Sequence, residues 1–256
     1  MLRQSHPEYV GLLVTTICLA EMLKRIRHCW PLNNEPNRNR EVKRWLAALP
    51  AGSSLLDAGA GIQRYRQDAA HLAYTSQDFG GYKGCEVFAD RKTPEWDSTC
   101  CDLLCDITAI PVVDGHFDAV LCTEVFEHLP EPQKALAELA RVLRPGGAML
   151  LTAPFRSLYH QEPYFFTSGF STYWYEHHAP ACGLEIVAIE ANGDYWGDLA
   201  QELVRLLLLG PLWQRISSLF LVSPLIVYLA LLRRCSSLQS PQSCWGYHVT
   251  LRKPAA

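Results

Sequence analysis

The chain lacks a dominant charge. Its 23 Lys and Arg residues nearly balance 26 Asp and Glu, leaving a formal net charge of -3, so it carries no electrostatic footprint for a nucleic-acid backbone. Its densest basic patch, NRNREVKR ending at Arg44, reads as a solvated helix face. Ten cysteines are present, but no CxxC pair. Cys100, Cys101 and Cys105 have no neighbours in sequence that would complete a tetrahedral zinc site, so no metal is expected. Together with Cys122 they fall where buried strands are predicted, which suits reduced thiols in a cytosolic protein. No standard signal peptide is expected either, because Glu8 and Glu21 bracket VGLLVTTICLA and no small-residue cleavage site follows. Within the leucine-rich segment Leu203 to Leu232 the longest uncharged stretch, Ile216 to Leu232, is broken by Pro224 and is shorter than the ~20 residues of a spanning helix.

What is present is an alternation of strand and helix patterns from Ser53 onward, the signature of a mostly parallel sheet covered on both faces. Strands are predicted at Ser54 to Asp57, Ala73 to Gln77, Cys101 to Cys105, Phe117 to Cys122, Ala148 to Thr152, Leu184 to Glu190 and Tyr247 to Leu251. Helices are predicted at Arg40 to Leu49 and, most clearly, at Pro132 to Leu143. In the latter, Leu136, Leu139, Ala140 and Leu143 have helical spacing, and the PGG of Pro145 to Gly147 supplies a stop. Residues 1–30 read as an amphipathic helix and PLNNEPN as a loop. Leu203 to Leu232 is leucine-dominated and followed by Arg233 and Arg234, a pattern open to three readings: peripheral membrane contact, a cap on the domain or dimer surface, or a true span.

Ligands of open parallel sheets bind beyond the carboxyl ends of the strands. Three stretches place chemistry there. LLDAGAG puts Asp57, Gly59 and Gly61 at the tip of the first strand, where glycine permits a tight turn and close backbone approach. Asp78 closes the second strand, where a carboxylate can accept from both hydroxyls of a ribose. Asp106 ends the third, beside Ile107, and can accept from an exocyclic amine. The third glycine of a dinucleotide fingerprint is absent, because Gln63 and Arg64 follow Ile62, which weighs against a nicotinamide-dependent oxidoreductase.

LLDAGAG, together with DITAIPVVDGHFDAVLCTEVFEHLPEPQKALAELARVLRPGGAMLLTAPF, resembles the class I S-adenosylmethionine-dependent methyltransferases, in particular the UbiE/type 11 group. The resemblance covers roughly Arg40 to Gly193, and GYHVTLRK is similar to the family's seventh strand. It implies an α/β, Rossmann-like, seven-stranded, mostly parallel sheet with helices on both faces and the last strand antiparallel beside the fifth. It implies S-adenosylmethionine as cofactor, with Asp78 on the ribose, Asp106 and Ile107 on the adenine side and Glu124 at the methionine end. The implied organisation is a helical segment at 1–50, a methyltransferase domain at 51–202 and 245–256, and a hydrophobic helical insertion at 203–244. Methyl transfer depends mainly on orientation, and a general base is needed only for a weakly acidic acceptor. His128, His160 and Glu162 are the candidates, each with a purely structural alternative. The aromatic-rich stretch Tyr159 to Tyr175 falls where this family builds its acceptor lid. The expected function is methylation of a small-molecule or lipid-linked acceptor, in the cytoplasm and at the inner face of the membrane, with contact through 203–232. The alternative is a non-catalytic S-adenosylmethionine-binding or scaffold protein of the same fold.

Overall fold

The computed structural model describes residues 34–82, 98, 100–208, 211–235 and 243–255; the amphipathic segment predicted within residues 1–30 lies outside them. The chain divides into two compact units, one of Arg38–Tyr195 with Leu238–Ala256, the other of Trp196–Ser237 with the residues before Arg38.

In the first unit seven strands form one sheet: β1 (Ser54–Ala58), β2 (Ala73–Asp78), β3 (Leu103–Leu104), β4 (Phe117–Thr123), β5 (Leu143–Pro154), β6 (Glu185–Asn192) and β7 (Gly246–Arg252). Their spatial order is β3-β2-β1-β4-β5-β7-β6. The pairings from β3 to β5 are parallel, and β7 runs antiparallel between β5 and β6. Strand order therefore reverses at β1, between β2 and β4, and the carboxyl end of β1 is where a ligand crevice opens.

Successive residues along the central strands serve opposite faces. Leu55, Ala119, Leu121 and Leu150 join a cluster with Val42, Leu46, Tyr65 and Leu72. Their neighbours Leu56, Val120, Cys122, Met149 and Leu151 join the other cluster with Phe126, Leu136, Leu139 and Tyr175. This two-sided burial explains why these strands read as near-continuous apolar runs. The helices of this unit are α1 (Asn34–Ala48), α2 (Pro132–Val142) and α3 (Thr172–Ala181), with a 3-10 turn at Phe126–His128 after β4.

Several local expectations are corrected. α1 begins at Asn34, within the predicted loop, because Pro36 falls in the first turn, where a missing N–H costs nothing. The third strand shrinks to Leu103–Leu104, and Cys100 is exposed while Cys101 and Cys122 are buried. The PGG segment does not cap the helix. α2 ends at Val142, and Leu143 is already extended. Pro145 to Gly147 instead lie in a bulge of β5, where pairing jumps from Phe117↔Leu143 to Ala119↔Ala148. Gly146 sits there at φ +77° and donates its N–H to the Lys253 carbonyl, a conformation that favours glycine.

In the second unit, α4 (Tyr195–Leu208) and α5 (Leu212–Cys235) contribute Ala200 and Leu229 to a small cluster with Trp196, Leu199, Leu203, Val204 and Ile226. Much of α5 is uncovered: Trp213, Phe220 and Leu221 are 71, 75 and 78% exposed. Among the described residues no helix is long and apolar enough to cross a membrane.

Candidate functional site

At the carboxyl end of β1 the chain turns through Gly59 (φ +71°), Gly61 (φ +52°) and Gln63 (φ +55°). Gly59 is required twice over. Its φ lies in the left-handed region, and a Cβ there would lie 2.3 Å from Val125 Cγ2. Gln77 braces the turn: its side-chain oxygen accepts from Gly59 N–H at 3.2 Å and its carbonyl from Ala60 N–H at 2.8 Å. Its amide donates to the Cys105 carbonyl at 2.7 Å, so one side chain links the ends of β1, β2 and β3.

This turn borders a cavity of about 450 Å³, within the range of small-molecule and cofactor sites. Asp57, Gly59, Asp78, Asp106, Ile107, Glu124 and His128 all line it. Gly61, His160 and Glu162 are not among the lining residues. Gly61 contributes indirectly, donating its N–H to Asp78 Oδ2 at 3.0 Å.

The acidic groups differ in how they are held. Asp57 is buried and accepts from the Tyr74 hydroxyl at 2.6 Å. Burial, opposed by that hydrogen bond and reinforced by nearby Asp78, raises its carboxyl to about 6. Asp78 also accepts from Gly80 N–H at 2.9 Å, so its carboxylate organises the loops on both sides of itself. Asp106 accepts from the amide and hydroxyl of Thr108, both at 2.8 Å, through Oδ1. The loop that follows is clamped by Arg141, which donates to the carbonyls of Ile110 and Val112 and to Glu138 and Asp114, while Glu138 accepts from Ile110 N–H. Glu124 has φ +53°, an uncommon conformation for a residue with a side chain. Its carboxylate accepts from Thr152 Oγ1 at 3.0 Å and pairs with Arg38 at 2.9 Å.

Arg38, Gln77 and Tyr65 line the cavity but carry no legible sequence signal. Arg38 belongs to the patch read as a solvated helix face, and only the folded chain brings it to Glu124.

The predicted aromatic lid divides in two. Tyr164 and Phe166 line the cavity with Phe79, and the Phe79 and Tyr164 rings meet edge to face at 5.0 Å. Phe170 and Tyr175 are buried in the core, with Trp174 packed against it. The lid segment is tied to the 3-10 turn, since Phe166 and Thr167 donate their N–H groups to the Glu127 carbonyl. His128 Nδ1 donates to the Tyr164 carbonyl at 2.5 Å. Burial lowers His128 to about 4, so it is neutral at pH 7 and a weak base. Glu127, one residue earlier, is 1% exposed, and burial with nearby Glu124 pushes its carboxyl well above the usual range.

Residues 56–151 match the family described as "Methyltransferase domain". A demethylmenaquinone methyltransferase of Renibacterium salmoninarum is 29% identical over 157 residues, 55% of this chain and 63% of that one. The mouse tRNA (carboxymethyluridine(34)-5-O)-methyltransferase ALKBH8 is 32% identical over 113 residues, 43% of this chain and 16% of that one. The chain thus spans less than two thirds of the length of these relatives. Among solved structures, the [4+2]-cyclase SpnF superposes with a TM-score of 0.53 at 19% identity, covering 86% of this chain and 81% of that one.

The sheet order with its antiparallel β7 and the crevice at β1 define a Rossmann-like methyltransferase fold. The match at 56–151 lies within this sheet, so the unit carries a methyltransferase-like domain and is similar to the class I S-adenosylmethionine-dependent methyltransferases.

Proposed function

We propose that this chain transfers a methyl group from S-adenosylmethionine to an apolar small-molecule or lipid-linked acceptor, working at a membrane surface. The observation that carries the reading is the cavity beyond β1, lined both by carboxylates and by the aromatic rings of Phe79, Tyr164 and Phe166. In this reading Asp78 takes the ribose hydroxyls and Asp106 the adenine amine, with Ile107 packed on the base. Asp57, Glu124 and Arg38 surround the methionine end, where a ligand carries both an ammonium and a carboxylate. The reaction then needs little more than alignment: the acceptor lies in line with the S–CH3 bond, and the sulfonium leaves as a neutral thioether.

Phe79, Tyr164 and Phe166 support an apolar acceptor, since all three border the cavity and Phe79 and Phe166 remain about half exposed. The relative named for demethylmenaquinone adds to that side. The free thiols among the described residues suit a reducing cytoplasm. Membrane contact is supported by the uncovered apolar residues of α5, among them Trp213, Phe220 and Leu221, suited to lying in an interface rather than crossing it.

A second reading is a protein of this fold that binds the cofactor without transferring methyl. The likeness to a protein titled a cyclase favours keeping it, because the fold alone does not specify the reaction. Calorimetric titration with S-adenosylmethionine is the first test. Saturable binding is expected, and a folded sample that takes up none overturns both readings. Co-sedimentation with anionic lipid vesicles tests the membrane part, which fails if the full chain stays in the supernatant.

A further inference from the structure

We propose that Glu127, His128 and His160 form a divalent-metal site that reaches the cavity through His128. One ligand atom from each lies within 4.8 Å of the other two. The three come from different places: the 3-10 turn supplies Glu127 and His128, and the loop between β5 and α3 brings His160 onto them, ring centroids 4.9 Å apart.

Two features set this cluster apart from a chance meeting of polar groups. The first is the tautomers. His128 Nδ1 lies 2.5 Å from the Tyr164 carbonyl and His160 Nδ1 2.8 Å from the Leu158 carbonyl. A carbonyl can only accept, so each Nδ1 carries the proton and each neutral ring keeps its lone pair on Nε2. An Nδ1–H tied to backbone with Nε2 left to bind is the arrangement that orients histidine ligands in metal centres. The second is the orphaned atoms. Glu127 Oε2 and His128 Nε2 are both buried without a hydrogen-bond partner among the described residues, and His128 Nε2 lies 3.7 Å from Glu127 Oε1. Leaving such buried groups unpaired is unfavourable, because each has lost its hydrogen bonds to water. A proton shared between Glu127 and His128 would partner two of the three groups and leave His160 without a role.

Two imidazoles and a carboxylate are the ligand set of open zinc and related first-row sites, in which further positions go to water or substrate. Ligands at ~2.1 Å from a tetrahedral metal are about 3.4 Å apart, so closure asks the cluster to contract, with His160 on its loop as the mobile member. His128 lines the cavity, which places an open coordination position toward the acceptor. Resting on the methyltransferase reading, the metal would take an acceptor hydroxyl as a ligand. The hydroxyl loses its proton to water, and the oxygen then forms the O–CH3 bond as the S–CH3 bonding pair stays on sulfur.

The test is titration of the full chain with Co2+ alone, read by calorimetry and absorption, beside a titration with S-adenosylmethionine in excess chelator. One equivalent of Co2+ is expected, without a thiolate-to-metal charge-transfer band. Glu127→Gln and His160→Ala should each weaken it at least 100-fold, while His71→Ala, at an exposed residue elsewhere, leaves it unchanged. His160→Ala is the decisive variant should Glu127→Gln disturb folding. No saturable uptake, a thiolate band, or equal affinity in His160→Ala overturns the site. Cofactor binding in chelator without Co2+ uptake defeats the metal and leaves the methyltransferase reading standing. Co2+ uptake without cofactor binding upholds the metal and defeats that reading.

Discussion

The sheet unit and the helical pair α4–α5 are both rich in leucine and aromatic residues, but they spend them differently. In the first, alternate residues of β1, β4 and β5 are buried on opposite faces, and Leu55, Leu56, Val120, Leu121 and Leu151 have no solvent exposure. In the second, only Ala200 and Leu229 are buried among the described residues of the shared cluster, while Trp213, Phe220, Leu221 and Tyr228 face outward. Apolar content is thus consumed by folding in one region and left available to a partner in the other. The cavity repeats the contrast on a smaller scale, its lining combining hydrogen-bonded carboxylates with the half-exposed rings of Phe79 and Phe166.

Substitutions can break this contrast. Phe117→Ala in β4 should cost about 3–5 kcal/mol of unfolding free energy, because a ring that is 1% exposed leaves a cavity the sheet cannot collapse into. Denaturant unfolding measures it, and a loss below about 1 kcal/mol would mean the core is looser than its burial indicates.

Asp57→Asn should act in the opposite sense. An acid raised from 3.8 to about 6 in the folded chain binds its proton more tightly there than when unfolded. Its contribution to stability is therefore present below pH 3.8 and lost as pH rises through 6. At pH 7 the neutral amide should stabilise the fold by up to about 3 kcal/mol and flatten the decline between pH 4 and 6, while weakening cofactor binding. A wild-type stability independent of pH in that window would contradict the buried carboxyl.

Asp78→Asn should weaken S-adenosylmethionine by roughly 1–3 kcal/mol, the scale of one lost charged acceptor. Because the carboxylate also holds Gly61 and Gly80, the melting temperature must be read alongside; unchanged affinity removes its ribose role. The smallest effect on stability is expected for Phe220→Ser with Leu221→Ser, within about 0.5 kcal/mol per site, accompanied by loss of vesicle binding. Marked destabilisation would show that these residues are packed.

Much of this was legible in advance, for physical reasons. Strands buried on both faces produce apolar runs. A tight turn needs glycine, and carboxylates at successive strand ends mark the crevice, so Asp57, Asp78 and Asp106 were placed by position and Glu124 by the resemblance; all four line the cavity. The missed features depend on tertiary contact. Arg38 meets Glu124 across 86 positions, and nothing in NRNREVKR distinguishes it from its neighbours. Pro145 to Gly147 has the composition of a helix stop, yet it sits in a bulge because β4 pairs with Leu143 before it. Tyr159 to Tyr175 has one composition but two fates, with Tyr164 and Phe166 at the cavity and Tyr175 in the core. Glu127 carries no signal of its own in the sequence, and only its burial singles it out.

The central claim is tested most directly by supplying S-adenosylmethionine labelled on its methyl group to the full chain with separate lipid and aqueous cell extracts. The account predicts transfer of label to a component of the lipid extract. Label confined to the aqueous extract would contradict the apolar acceptor, and a chain that binds the cofactor yet labels neither extract would contradict methyl transfer itself.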